Sequence, residues 1–164
     1  MKKIAIVMGS DSDLPIAEAA VNIFRQFDVP FEVHVYSAHR TPVEATAFAG
    51  SARENGFGAI IAIAGMAAHL AGVLASKTTL PVVGVPAKSS VLDGMDALLA
   101  TVQMPKGIPV ATVAINGGAN AALLCCQMLA IEDEALAKKL DLARSKQSEE
   151  VLEKDRRVSE SFIN

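Results

Sequence analysis

Four apolar runs of strand length punctuate this chain: KIAIVM (3–8), GAIIAIA (58–64), PVVGVP (81–86) and PVATVAI (109–115). A strand with water on one face alternates apolar and polar residues. Runs that do not alternate need cover on both faces, which is the condition of a parallel sheet held between two layers of helix. A fifth run, FEVHVYS (31–37), alternates in part and reads as a less protected strand.

Helical patterns fill the gaps between these runs. They cover 14–27, the stretch from Pro42 onward, 67–76, 91–103 and 119–130. Asp11 or Ser12 is positioned to cap the first, while Thr41, Pro42 and Glu44 read as N-cap, N1 proline and capping-box acid of the second. Strand–helix alternation of this kind predicts an α/β three-layer sandwich with a five-stranded parallel sheet. Five strands and no second lobe favour the flavodoxin-like order 2-1-3-4-5. A chain of 164 residues is long enough for one complete core. Only 4% of residues are aromatic and Trp is absent, so Ala, Val, Ile and Leu must carry the burial. The adjacent Cys125 and Cys126 sit in an apolar helical stretch and read as buried thiols rather than a redox pair.

The net charge of −3 offers no long-range attraction to nucleic acid or to an anionic membrane. The N-terminal MKKIAIVMGS has two lysines and an apolar run, but the run is too short for a signal peptide, and no stretch approaches the ~20 apolar residues of a membrane span. A cytoplasmic protein is expected. From residue 132 to 163 the chain turns charged and helical, with Leu136, Leu140, Ala143, Val151, Leu152 and Val158 as its apolar positions. A small sandwich has little surface left for so long a helix. The expected division is a catalytic core over 1–130 and a helical extension over 131–164 that packs on neighbouring subunits, a solvated tail being the alternative.

In an open parallel sheet, ligands bind beyond the C-terminal ends of the strands. Four segments fall there: GSDSD (9–13), SAHRTP (37–42), AGMAAHLAG (64–72) and VPAKSS (85–90). In the first, Ser10, Ser12 and the amides of a helix start suit a phosphate, while Asp11 and Asp13 suit a ribose hydroxyl or an N–H donor. An ordinary capped turn accounts for the same residues, and the Gly-Lys-Ser/Thr ending of a P-loop is missing. The second places Ser37, His39 and Arg40 together. Imidazole relays protons near neutral pH, and a guanidinium offers a fork to phosphate or carboxylate. The third surrounds His69 with Ala64, Gly65, Ala67, Ala68 and Gly72, which leaves room for a compact group; a satisfied core histidine is the competing reading. His34 lies inside the second strand and is expected to be structural.

Several chemistries are set aside on specific positions. His39, His69 and Asp13 would make a passable metal set, but HExxH spacing and cysteine ligands are absent, so no metal is expected. No serine stands in a Gly-x-Ser-x-Gly elbow. A response regulator needs an aspartate at the end of the third strand, where this chain reads IAGMAAH. What remains is an acid–base histidine beside an arginine and a phosphate site.

MGSDSD, SAHRTP, AAHL, KTTLPVVGVP, VQMPKGIPVATVAI and NAALL, in this order over about 4–130, resemble the class I PurE family, the N5-carboxyaminoimidazole ribonucleotide mutases of purine biosynthesis. The resemblance implies transfer of a carboxylate from N5 to C4, giving 4-carboxy-5-aminoimidazole ribonucleotide, without metal, ATP or organic cofactor. It implies Ser10 and Asp13 on the ribonucleotide, Arg40 on its phosphate and His39 as proton carrier. His69 is expected as a second catalytic histidine, with Ser37, Ala38, Gly65, Ala67, Ala68 and Leu70 as further substrate contacts. The stretch 65–69 would hold liberated CO2 for recapture. The family likeness further implies a homo-octamer with each site built from more than one chain. Three departures stand out: Met66 where the family usually has a second glycine, Ala71 where it usually has proline, and an INGGANAALL segment about two residues shorter. The competing readings are a class II enzyme, which carboxylates the free aminoimidazole with CO2 and lacks the Ala-Ala-His-Leu stretch, and a non-catalytic nucleotide-binding module.

Overall fold

The computed structural model describes residues 1–163; Asn164, the last residue of the expected extension, lies outside the described residues. Five parallel strands form one sheet: β1 (Lys3–Met8), β2 (Phe31–Val35), β3 (Phe57–Gly65), β4 (Val82–Ala87) and β5 (Ala111–Thr112), in the order β2-β1-β3-β4-β5. The helices are α1 (Leu14–Gln26), α2 (Pro42–Ser51), α3 (Leu70–Ala75), α4 (Met95–Val102), α5 (Gly118–Ala130) and α6 (Glu134–Ser161). The unbroken apolar runs have the expected cause. Along β1, Ile4, Ile6 and Met8 enter the core shared with α1 and α5, while Ala5 and Val7 enter the core shared with α2 and α3. β3 divides in the same way, Ile61 and Ile63 to one side and Ile60 and Ala62 to the other. β2 is an edge strand with Val33 and Val35 partly in water, and its ladder ends before the expected residue 37.

Small residues bring the layers close. α2 packs on the sheet through Ala45 and Ala49, and α5 through Ala121, Ala122, Cys125 and Cys126. A Cβ on Gly118 would lie 2.1 Å from the Ile16 carbonyl oxygen, so only glycine lets α5 start against α1. The two cysteines are buried free thiols; burial pushes Cys126 up to about 11 and Cys125 higher still, which leaves both unreactive.

The observed elements depart from expectation at four places. β5 pairs over two residues rather than seven. Pro86 explains the stop: its carbonyl accepts from the Asn116 N–H on the β5 side, and that is the side on which it has no N–H to give. α3 starts at Leu70, with 67–69 in a tight loop. α4 starts at Met95, after a 3-10 turn at Leu92–Gly94. At the helix starts, neither Asp11 nor Ser12 caps α1, whose N-cap Asp13 makes no side-chain capping bond; Ser10 caps the 3-10 turn Asp11–Asp13 that precedes it, by accepting from the Ser12 N–H at 3.3 Å. Pro42 is the first residue of α2 as expected, but Thr41 makes no capping bond into the helix. Its hydroxyl turns back to Ser37, accepting from that N–H at 2.8 Å and donating to that carbonyl at 3.2 Å.

Candidate active site

Side chains from the ends of β1, β2, β3 and β4 surround a cleft of about 600 Å3. Its position follows from the topology, because all strands run the same way and their following loops gather at one edge. A larger hollow of about 880 Å3 lies at the opposite edge, around Pro81, Val82 and the 107–109 loop. We assign the chemistry to the smaller cleft, since the histidine pair and Arg40 stand there.

The loop after β2 is organised by Ser37. Its hydroxyl oxygen accepts from the His39 N–H at 3.3 Å and the Arg40 N–H at 3.2 Å, while Thr41 holds its own backbone. This folding of the loop on itself projects His39 and Arg40 outward on consecutive residues. One arm of Arg40 donates to the Gly9 carbonyl at 3.0 Å, and the Gly9 N–H donates to Ile63 at 2.9 Å, so the ends of β1, β2 and β3 are tied together. Ala38 lies between them, half-buried.

After β3 the chain makes two successive tight turns, Ala68 N–H to the Met66 carbonyl and His69 N–H to the Ala67 carbonyl, both 2.8 Å. Met66 adopts a φ of 52°, the left-handed region that glycine enters without strain. This accounts for the glycine usual at that position in the resembling family, and Met66 itself is 64% exposed rather than packed. Ala71, the other departure, is the second residue of α3, where the backbone N–H has no partner within the helix and a proline fits equally well.

These turns bring the ring of His69 to that of His39: Nδ1 of His69 lies 2.9 Å from Nε2 of His39, with the rings at 81°. One nitrogen donates and the other accepts, so the contact persists only while one of the facing atoms lacks a proton. Both rings are exposed, and the pair forms a two-ring path for a proton at the cleft mouth.

All the expected site residues line the cleft except Ala68 and His69. Ala68 is buried beneath the loop, and His69 reaches the site through its bond to His39. Asp13 is half-buried, and its carboxyl is raised above the usual value chiefly by that burial, with Asp11 adding to the rise and the Ser12 hydroxyl opposing it. His34 is structural, stacked on Tyr36 and placed 3.3 Å from Glu32. Among the described residues no group of three or more His, Cys, Asp or Glu is arranged to hold a metal ion. Sequence reasoning did not include Gly9, Lys88 and Ser89 among the site residues, and Met66, noted there only as a departure, lines the cleft as well. The VPAKSS segment placed Lys88 and Ser89 at a strand end, but a lone lysine after a strand carries no pattern that separates it from a solvated one.

The AIR carboxylase family profile matches residues 3–150. The chain is 54% identical over 159 residues to the N5-carboxyaminoimidazole ribonucleotide mutase of Methanocaldococcus jannaschii, covering 97% of this chain and 99% of that protein. It is 52% identical over 155 residues to the phosphoribosylaminoimidazole carboxylase of Saccharomyces cerevisiae, covering 94% of this chain but 27% of that longer protein. A crystal structure of Treponema denticola PurE superposes with a TM-score of 0.86 at 24% identity, over 94% of this chain and 96% of that one, which establishes a common fold. With its profile matched almost end to end, the chain belongs to the AIR carboxylase family.

Proposed function

We propose that this protein is an N5-carboxyaminoimidazole ribonucleotide mutase, moving a carboxylate from N5 to C4 of its ribonucleotide. The observation that carries the reading is the 2.9 Å contact between His39 and His69 beside Arg40 and the small-residue wall of one cleft. The reaction needs a proton delivered to N5 as CO2 departs and a proton removed from C4 once CO2 has bonded there, so a group that gives and takes one proton closes the cycle. His39 fills that role, with His69 holding or passing the proton. Arg40 takes the phosphate, Ser10 and Asp13 the ribose, and Ser37, Ala38 and Leu70 complete the walls. Gly65 and Ala67 form the compact wall against which CO2 waits, sheltered from water, with Ala68 buried behind them. Relatives named as this mutase, at 54% and 53% identity in M. jannaschii and Escherichia coli, support the assignment.

We also propose a cytoplasmic homo-oligomer, an octamer as the resemblance implies, with 1–130 as catalytic core and 131–164 as the part that packs on neighbouring subunits. Exposed apolar side chains support assembly: Met95, Leu99 and Val102 along one face of α4, and Leu142, Val151, Leu152 and Val158 spread around α6. Among the described residues no helix is long and apolar enough to cross a membrane.

A second reading, direct carboxylation of aminoimidazole ribonucleotide by CO2, is set against relatives named mutase that are matched over 90% or more of their length, while the fungal relatives named carboxylase are matched over only 26% and 27% of theirs. Turnover of the purified protein decides between them. Conversion of the N5-carboxylated substrate without ATP or added bicarbonate is expected, and a strict dependence on bicarbonate would overturn the mutase assignment.

A further inference from the structure

The cleft has a second cation besides Arg40. Lys88 follows β4, whose last residue Ala87 is the register partner of Gly65. Arg40 follows β2, three strand spacings away, roughly 14 Å. Lys88 therefore belongs to the small-residue side of the cleft, away from Arg40. Its backbone is anchored, because its N–H donates to Asn116 Oδ1 at 2.8 Å. Its side chain is lightly held: Nζ lies 3.2 Å from Asp93 Oδ1, with the two side chains 57% and 84% exposed, and pairs this open contribute little. Asp93 itself sits in a run of left-handed residues, with φ of 55° at Leu92, 51° at Asp93 and 92° at Gly94. Of these, Leu92 carries a side chain that disfavours that conformation, so the segment holds some local strain.

We propose that Lys88 is a substrate-binding residue, its ammonium leaving Asp93 to pair with the carboxylate of the bound ribonucleotide. This rests on the function proposed above. A ribonucleotide with a phosphate at one end and a carboxylate at the other carries two anions, and Arg40 and Lys88 give each a partner on its own side of the cleft. The consequence is specific. A cation beside the carboxylate stabilises the state in which that charge is intact, so it contributes to binding and not to loss of CO2.

Calorimetry of Lys88→Gln, Lys88→Arg and Asp93→Asn with two ligands tests this. One is 4-carboxy-5-aminoimidazole ribonucleotide, the other the same ribonucleotide without its carboxylate. Lys88→Gln is expected to weaken the carboxylated ligand about 10- to 100-fold, the loss of one charge-assisted hydrogen bond, and to leave the other ligand unchanged. KM rises and kcat does not fall, as expected when a ground-state contact is lost, Lys88→Arg recovers most of the affinity, and Asp93→Asn does not weaken binding. Equal losses for both ligands, no loss for either, or an Asp93→Asn variant that falls with Lys88→Gln would overturn the role of Lys88. Wild-type protein that binds neither ribonucleotide would overturn the functional reading, and this role with it.

Discussion

At the strand ends exposed polar groups are bonded to one another, whereas along α6 beyond Leu140 large apolar side chains stand in solvent. Ser37 accepts from two backbone N–H groups, Arg40 reaches Gly9, and His39 meets His69. In α6, Leu136 is buried and Leu140 and Ala143 pack on the α1–α5 core, but Leu142, Val151, Leu152 and Val158 are each 59% exposed or more. The first arrangement fixes side chains at a cost in freedom that a ligand repays. The second leaves apolar area that only another surface can cover. The two regions thus differ in chemistry: convergent polar groups in one place, and in the other exposed apolar side chains distributed over about 42 Å of helix, the surface proposed above for assembly.

Cutting the chain after Ala143 presses hardest on this contrast. The cut keeps Leu136 and its cap, the Asp133 carboxylate accepting from the Leu136 N–H at 3.0 Å, so the sandwich stays folded and melts cooperatively. Assembly and turnover are both expected to vanish, although every cleft-lining residue remains. Sedimentation of the full-length chain and of the shortened one measures the first, and the mutase assay the second. A full-length monomer with full activity at nanomolar concentration would erase the distinction between the two exposed regions.

The complementary change is His39→Asn, which removes the proposed proton carrier and leaves α6 untouched. Turnover should fall about 10²- to 10⁴-fold, the usual contribution of a general acid–base group, with ligand affinity and sedimentation unchanged. Should most of the activity survive, the proton would have to travel through His69 alone.

The unequal legibility of the two regions has a physical basis. The strands could be read because burial on both faces writes itself as unbroken apolar runs, and the SAHRTP and AAHL segments because polar residues at strand ends are few. Three features were hidden. The contact between His39 and His69 depends on turns 30 residues apart whose meeting is decided by sheet order, which no local pattern encodes. Left-handed residues that are not glycine, such as Met66, Leu92, Asp93 and Asn116, carry no local sequence signal, and at Asn116 the side chain is held by the Lys88 N–H 28 residues away. The short β5 depends on a donor that a neighbouring strand lacks, at Pro86. The first and the third are relations between distant segments, while the charged, helical pattern of 132–163 is local and could be read directly.

The smallest expected effect separates binding from stability inside the site itself. Asp13 is pushed above the usual carboxyl value, burial being the larger cause and the neighbouring Asp11 charge the lesser. A raised folded-state value means that the fold prefers the neutral acid. The stabilising share of Asp13 is therefore complete below its ordinary value of 3.8 and is lost as pH rises through the raised one. At neutral pH the ionised carboxylate costs the empty protein some stability, moderated by water because the group is only half-buried. Asp13→Asn removes the charge at nearly constant shape. Its melting temperature at pH 7 should rise by about 1–2 °C, and the gain over the wild type should disappear in acid below the ordinary carboxyl value. The same variant should bind ribonucleotide less well, since an amide offers one acceptor oxygen where the carboxylate offers two to the ribose hydroxyls. A variant less stable than wild type at pH 7 would mean that the ionised carboxylate holds the 9–13 turn together, placing Asp13 with the structural residues rather than with the ligand-facing ones.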